Sequence, residues 1–372
     1  MKKYLVLALL ASSSVAFAQS NVTIYGVADA TFDVVTANGS ANGTDRGTFN
    51  RISSNTSYLG FKGSEGLGNG LSAIFQLESG VALDSTGGVP NSGRTSFVGL
   101  TSKDYGTVVA GLLSGPTRNA GLLVDQHVGN AGAGLVSSII GKPVGGAATG
   151  TFDTRLGNAI AYVSPTFNGL TVTAAYTTGE NKSVENAAAA AVINTSGYDV
   201  GATYVFGRLK TALTHAEVHN RRSDAAAGTN LDETKITRLA TVYSFEGGHK
   251  LGALVEKNKN VYTGLAAADL SRTTWGLTGK YAVSPNGAII GQYFVANNPT
   301  GSFYANNSDR KANLYEVGYE HSLSKRTVLK AAYTVLNNQS NSTFDFATNA
   351  VAGGTGAGTD YKVLSAGLRH AF

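Results

Sequence analysis

Two runs joined by a short turn decide the fold: LYEVGYEH (Leu314–His321), then Ser324-Lys325-Arg326, then TVLKAAYTVL (Thr327–Leu336). In the first run Tyr315, Val317 and Tyr319 oppose Glu316 and Glu320. In the second, Leu329, Ala331, Tyr333 and Val335 oppose Lys330, Ala332 and Thr334. Successive side chains of an extended chain point to opposite faces, so a period of two marks strands with one apolar face and one polar or small face. Arg272–Val283 repeats the pattern, with Thr273, Trp275, Leu277, Tyr281 and Val283 set against Arg272, Thr274, Thr278 and Lys280.

Outward from this hairpin the connections alternate in length. Short ones read Glu65–Gly70, Lys103–Gly106, Pro165–Gly169, Gly207-Arg208, Glu246–His249, Ser284–Gly287 and Ser324–Arg326, all of turn composition. Long ones, rich in Asn, Ser, Thr, Ala and Gly, lie near 36–50, 83–93, 115–153, 179–196, 221–233, 258–270, 298–311 and 338–359. These fifteen connections predict sixteen strands, near 22–35, 51–64, 71–82, 94–102, 106–114, 154–164, 170–178, 197–206, 209–220, 234–245, 250–257, 271–283, 288–297, 312–322, 327–337 and 360–372. An even number of strands with short turns at one end and long loops at the other predicts an all-β, 16-stranded antiparallel transmembrane β-barrel of the outer-membrane type. Lipid supplies no hydrogen-bond partner, so a sheet within it must close. No repeat of ~20–50 residues marks a propeller or solenoid.

Composition agrees. Of 372 residues 47 are Gly, 6 are Pro and 14% are charged, against roughly 25% charged in ordinary soluble domains. The absence of Cys excludes disulfides and Cys-ligated metal sites. At the start, Lys2 and Lys3 precede the apolar run Tyr4–Leu10 and the small-x-small sequence Ala16-Phe17-Ala18. This predicts a secretory signal peptide over residues 1–18, cleaved before Gln19, with 19–372 as one barrel domain. The apolar run falls short of the ~20 residues a membrane-spanning helix needs. Loss of Lys2 and Lys3 lowers the formal charge of +5 by two, a balance that gives no support to a nucleic-acid partner. Tyr58, Phe61, Tyr105, Phe167, Phe206, Phe245, Trp275, Tyr281 and Tyr361 fall near strand ends, where aromatic girdles meet the membrane interface. In the last strand His370, Leu368, Ala366 and Leu364 share one face and the chain ends on Phe372. That ending resembles the C-terminal assembly signal of outer-membrane proteins, which the barrel-assembly machinery reads.

Several longer motifs are more specific. They are Val22-Thr23-Ile24-Tyr25-Gly26-Val27 with Asp29, Leu59–Leu71 running into Phe75-Gln76-Leu77-Glu78, and Arg94 followed by Phe97-Val98-Gly99-Leu100. Further on come Tyr105-Gly106-Thr107-Val108, Tyr162-Val163-Ser164-Pro165 and Gly367–Phe372. With these the chain resembles the general diffusion porins of Gram-negative bacteria, most of all the trimeric type of β-proteobacteria. The resemblance implies a homotrimer in the outer membrane, surrounded by lipid and lipopolysaccharide. Each barrel would be narrowed by an inward-folded third loop and crossed passively by small hydrophilic solutes. The longest connection, 115–153, falls where that constriction loop belongs. Alternation predicts that Tyr58, Gly60 and Lys62 point inward, as do Arg94 with Ser96 and Val98, and Arg155 with Ala161. Arg94 and Arg155 match the family's wall arginines. Tyr58 stands where such porins carry Arg, and Gly111-Leu112-Leu113 replaces a Gly-Arg-Gln stretch. The loop adds Arg118, Asp125 and Asp153 to the expected constriction, alongside His127 and Lys142. So few acids predict a weak transverse field and a weak anion preference.

Catalytic motifs are absent from the chain. No Gly-x-Ser-x-Gly occurs, Gly141-Lys142 is followed by Pro143, and Gly66–Gly70 is a turn between strands and not the opening of a helix. His215 and His219 lie four apart, about 13 Å along a strand, too far to share one metal. The reading is therefore a channel that is not an enzyme and holds no cofactor or metal. A channel specific for sugars or organic acids and a surface adhesin are the alternatives. Against the first, 115–153 contains a single aromatic, Phe152. Lys182, Arg221, Arg222, Lys257 and Lys259 read as a solvated or lipopolysaccharide-facing surface.

Overall fold

The computed structural model describes residues 21–86, 93–129, 131–142, 152–180, 195–219, 223–224, 229–264, 268–351 and 356–372. The leader assigned to 1–18, the middle of 115–153, and Lys182, Arg221 and Arg222 lie outside the described residues. The strands are β1 (Asn21–Asn38), β2 (Gly47–Ser54), β3 (Tyr58–Gly68), β4 (Leu71–Gly80), β5 (Gly93–Ser102), β6 (Gly106–Leu113), β7 (Leu156–Val163), β8 (Leu170–Thr178), β9 (Ser196–Phe206), β10 (Leu209–His219), β11 (Ser223–Asp224), β12 (Thr229–Ser244), β13 (Lys250–Gly264), β14 (Ala268–Ala282), β15 (Gly287–Ala296), β16 (Thr300–Gly301), β17 (Ala312–Ser322), β18 (Thr327–Asn338) and β19 (Asp360–Ala371). One helix, α1 (Pro116–Val124), follows β6.

The wall closes on itself: β1 pairs antiparallel with β19 from Val27↔Ala371 to Asn38↔Asp360. β2 and β3 pair with successive parts of β1 and share one wall position. β11 and β16 are two-residue ladders beside β12 and β14. Setting these three aside, the nineteen strands make sixteen wall positions, the number expected.

The second predicted strand, 51–64, is broken at Asn55-Thr56-Ser57, where Thr56 takes φ 56°. The cause is Asp29, fully buried on the inner face. Asn55 Nδ2 donates to its carboxylate at 3.3 Å, and its own backbone N–H donates to Ser57 Oγ at 2.9 Å. Strands β12, β13 and β14 reach further than the predicted 234–245, 250–257 and 271–283. Above the lipid band Asn258 and Asn260 point in, buried, while Lys257 and Lys259 point out. With polar residues on both faces the apolar alternation disappears although the ladder continues.

The outward face is apolar, with Val98, Ile160, Leu213, Leu277, Val317 and Leu364 each more than half exposed. At the short-turn end Tyr105, Phe167, Phe206, Phe245 and Tyr281 are exposed as a girdle should be. Tyr58 and Tyr361 depart from that expectation: Tyr58 packs under Arg94, and Tyr361 is buried inside beside Phe346. Phe372 closes the ring, exchanging backbone hydrogen bonds with Gly26 at 3.2 and 3.1 Å. A Cβ on Gly26 would collide with the Phe372 ring, so only glycine accepts that ring there.

The apolar core lies inside the barrel, between the wall and segments folded into it. Ala120, Val124, Val136, Ile139 and Ile140 of the segment after β6 join Val35, Leu254, Phe294, Leu314 and Leu336 of the wall. Phe344, Phe346 and Val351, from the connection between β18 and β19, belong to the same cluster. Each of the Val, Leu, Ile and Phe side chains contributes ~1.5–3 kcal/mol by burial. That a second connection would fold inward had no counterpart in the sequence reading.

Candidate functional site

The interior is organised by where charges sit. On one part of the wall Glu78 of β4 accepts from Tyr25 Oη at 2.8 Å, from Gln76 Nε2 at 3.0 Å and from Arg94 Nε at 3.3 Å. The Arg94 guanidinium lies 4.3 Å from the centre of the Tyr58 ring, and Lys62 Nζ lies 5.0 Å from that of Tyr25. Arg155 Nε donates to Thr95 Oγ1 at 2.9 Å.

Arg94 faces inward for a different reason than simple alternation. The ladder runs Leu77↔Ser96 and then Ser79↔Gly93, so Glu78 stands opposite both Arg94 and Thr95. This bulge re-aims Arg94. Beyond it Phe97 pairs with Gln76 on the inner face, while Val98 is outward and 64% exposed. The expectation that Ser96 and Val98 share the inward face of Arg94 is thereby corrected.

Arg118, on α1, approaches this group. Burial depresses its pKa, Arg94 and Arg238 push the same way, and Asp153 opposes them; its guanidinium donates to the Asp153 carbonyl. The helix begins with Pro116 at its first position and has no side-chain cap of its own. Asp199 of β9 supplies one: Thr117 N–H donates to its carboxylate at 3.1 and 3.2 Å and Thr117 Oγ1 at 2.6 Å.

The two expected loop acids are engaged elsewhere. Arg238 of β12, with no exposed side-chain surface, donates to Asp153 Oδ1 at 2.7 Å and to the Thr117 carbonyl at 2.6 Å. Its other nitrogens donate to Glu256 Oε2 of β13 at 2.8 and 2.6 Å, and Glu256 Oε1 accepts from Gly141 N–H at 2.8 Å. One arginine thus holds the beginning and the end of the segment. Asp125 accepts from His127 Nδ1 at 2.8 Å, and the other ring nitrogen of His127 meets Glu316 of β17. Burial works against charge on that imidazole, yet Glu316 and Asp125 override it and raise its pKa well above the usual range. Val128 N–H donates to Glu320 at 2.6 Å, and Thr278 Oγ1 of β14 donates to the Val124 carbonyl at 2.7 Å.

The structure therefore brings Tyr58, Lys62, Arg94, Arg155 and Arg118 to one region with Glu78, holds Asp153 at its edge between Arg118 and Arg238, and ties Asp125 to His127. Arg238, Glu256 and Asp199 went unnoticed in the sequence, and Glu316 and Glu320 were read as the polar face of their strand without a part in the site. Their signal was present in part: each sits at an inward position of an alternating strand, and the segment folded against the wall buries them, so that each charge needs a partner.

A family model described as Gram-negative porin matches residues 5–341. The chain is similar to outer membrane porin protein 32 of Delftia acidovorans, 31% identical over 379 residues and covering 100% of both chains. It superimposes on an anion-selective porin from Comamonas acidovorans with TM-score 0.73 at 26% identity, covering 95% of this chain and 100% of that one. It also shares the fold of OmpT of Vibrio cholerae in its trimer form, with TM-score 0.65 at 13% identity, covering 95% and 99%. A closed sixteen-position wall, an apolar exterior, a charged interior and these matches together make the chain an outer-membrane protein that belongs to the Gram-negative porin family.

Proposed function

We propose that this porin is a water-filled passive-diffusion channel with a weak preference for anions, set where Lys62, Arg94, Arg155 and Arg118 face the lumen. The observation that carries the reading is the engagement of the Asp125 and Asp153 carboxylates with His127 and Arg238, so that the four bases outnumber the acids beside them, Glu78 and the shared Asp153. A charge in a narrow lumen with low-dielectric walls acts more strongly than the same charge on a loop, where salt screens it within about 8 Å. The segment 115–153 acts as the constriction loop, and the aromatic rings of Tyr25 and Tyr58 orient the bases beside it. Anion selectivity in the similar Comamonas protein supports the same direction here.

The rest of the reading concerns assembly. The protomer forms a homotrimer, as the trimeric OmpT relative in fold suggests. Residues 1–18 direct export. Phe372, with His370 and Leu368 on the outward face, serves the assembly machinery, and lipopolysaccharide surrounds the long-loop end. The chain performs no catalysis. The test is the reversal potential in a KCl gradient for the wild type and for Arg94→Ser combined with Arg155→Ser. Chloride preference that falls in the double variant is the expected result. Potassium preference in the wild type, or no change in the variant, overturns the assignment.

A further inference from the structure

On the outside of the barrel, the outward face of β10 runs Leu213, His215, Glu217, His219, changing from apolar to ionisable within one step. The change continues across the wall, because His215 pairs with Thr237 and Thr237 with Lys257, while Leu213, Leu239 and Val255 below them are exposed apolar residues. Ionisable side chains on this face thus begin where the apolar band ends, on the side of the long loops.

The register of β10 and β12 sets His219 opposite Glu233 and Glu217 opposite Lys235. A β-bulge between Leu231 and Glu233 lets Leu231 stay inside while Glu233 points out. His219 Nε2 lies 3.4 Å from Glu217 Oε2, and its Nδ1 lies 3.2 Å from Glu233 Oε1. One ligand atom from each of Glu217, His219 and Glu233 falls within 4.8 Å of the others. Glu217 is already oriented: its Oε1 is held by His215 Nε2 at 2.9 Å and by Lys235 Nζ at 3.2 Å, so its Oε2 faces His219. His215 is itself fixed through Nδ1 to Thr237 Oγ1 at 2.8 Å.

We propose that Glu217, His219 and Glu233 form a transition-metal site of the zinc class on the outer wall. A tetrahedral ion with bonds of ~2.0–2.2 Å holds its ligand atoms ~3.3 Å apart. The Nε2 to Oε2 separation of 3.4 Å already has that value, whereas it is long for a hydrogen bond; Glu233, which faces Nδ1, turns its carboxylate toward the Nε2 side to complete the set. An imidazole with two carboxylates suits zinc better than calcium or magnesium, which take six or more oxygens. Two carboxylates and a neutral imidazole balance a divalent ion. Lys235 Nζ, 2.8 Å from Glu233 Oε1, supplies the balancing charge in its place. The ion enters by displacing that ammonium, and its fourth position opens outward, away from the pore.

The site is independent of the channel and is tested on the folded full-length protein in detergent. Zn²⁺ is titrated calorimetrically into the wild type, His219→Gln, Glu233→Gln and Lys235→Met, with unheated gel mobility checking that each variant is folded. Saturable binding of one ion per chain is expected. It should weaken at least about tenfold in either ligand variant, as much as losing an orienting partner alone costs, and tighten in Lys235→Met. Single-channel conductance stays unchanged in all three variants. Absence of saturable binding, equal affinity in wild type and His219→Gln, or Ca²⁺ binding as tightly as Zn²⁺ overturns the proposal.

Discussion

Arg238→Met removes the guanidinium that ties Thr117, Asp153 and Glu256 together. The replacement fills similar space, so the packing of Ala120 and Ile140 nearby survives and the loss is electrostatic. Each charge-assisted hydrogen bond contributes ~1.5–3 kcal/mol net, but four bonds from one group are not additive. What dominates is that the carboxylates of Asp153 and Glu256 remain buried beside each other without the cation they shared, an imbalance that costs about 3–5 kcal/mol. At about 1.4 kcal/mol per tenfold, this raises the population with the loop detached by roughly two to four orders of magnitude. Two assays read it. Single-channel current becomes noisy between conductance levels, and trypsin gains access to the bond after Arg118. The triple variant Arg238→Met, Asp153→Asn, Glu256→Gln removes the stranded charges and should recover most of the quiet behaviour. Wild-type noise and wild-type trypsin resistance in Arg238→Met would refute the reasoning.

Further outcomes follow from other parts of the molecule. Because the pKa of His127 is raised in the folded state, its hold on Glu316 is complete below the ordinary imidazole pKa of 6.5 and is lost as pH rises through the elevated value. Current noise should therefore grow on the alkaline side in the wild type and be pH-independent in His127→Phe. Deleting Phe372 removes the residue whose backbone closes the ring on Gly26 and the aromatic suited to the interface; trimer yield in the outer membrane should fall sharply, and normal yield would exclude an assembly role. Purified protein should migrate as a trimer in SDS until heated, and a monomer in unheated gels would exclude the homotrimer. Asp199→Ala removes the cap on α1 and should lower stability by ~0.5–2 kcal/mol, read by thermal denaturation.

The wall was legible in the sequence because lipid on one side and water or protein on the other enforce a period of two. Leu314–His321 and Thr327–Leu336 appear in the structure as paired strands with Glu316 and Glu320 inward and Val317 outward. Alternation failed where that contrast is missing. Asn258 and Asn260 oppose Lys257 and Lys259 above the lipid band, so the strands there looked like loop. It also failed beyond Arg94, at Ser96 and Val98, since a bulge shifts facing by one residue without a mark in composition. The partners of Asp153 and His127 on the wall were illegible for another reason. Arg238 is 85 residues from Asp153 and Glu316 is 189 from His127, and such contacts depend on how far the loop crosses the lumen.

Mechanically, the segment that begins with α1 works as a strut. It is fastened to Asp199, Arg238, Glu256, Thr278, Glu316 and Glu320, on five different strands, and Ala347 N–H of the last inward connection donates to Ser138 Oγ at 3.0 Å. A thin cylinder resists flattening poorly, whereas a braced one transmits a squeeze on its rim to whatever is attached inside. Pore calibre is thus a property of wall and brace jointly. If the basic group is what solutes meet, as proposed, Thr278 and Glu320 become residues through which lateral pressure in the membrane would reach the width of the water column.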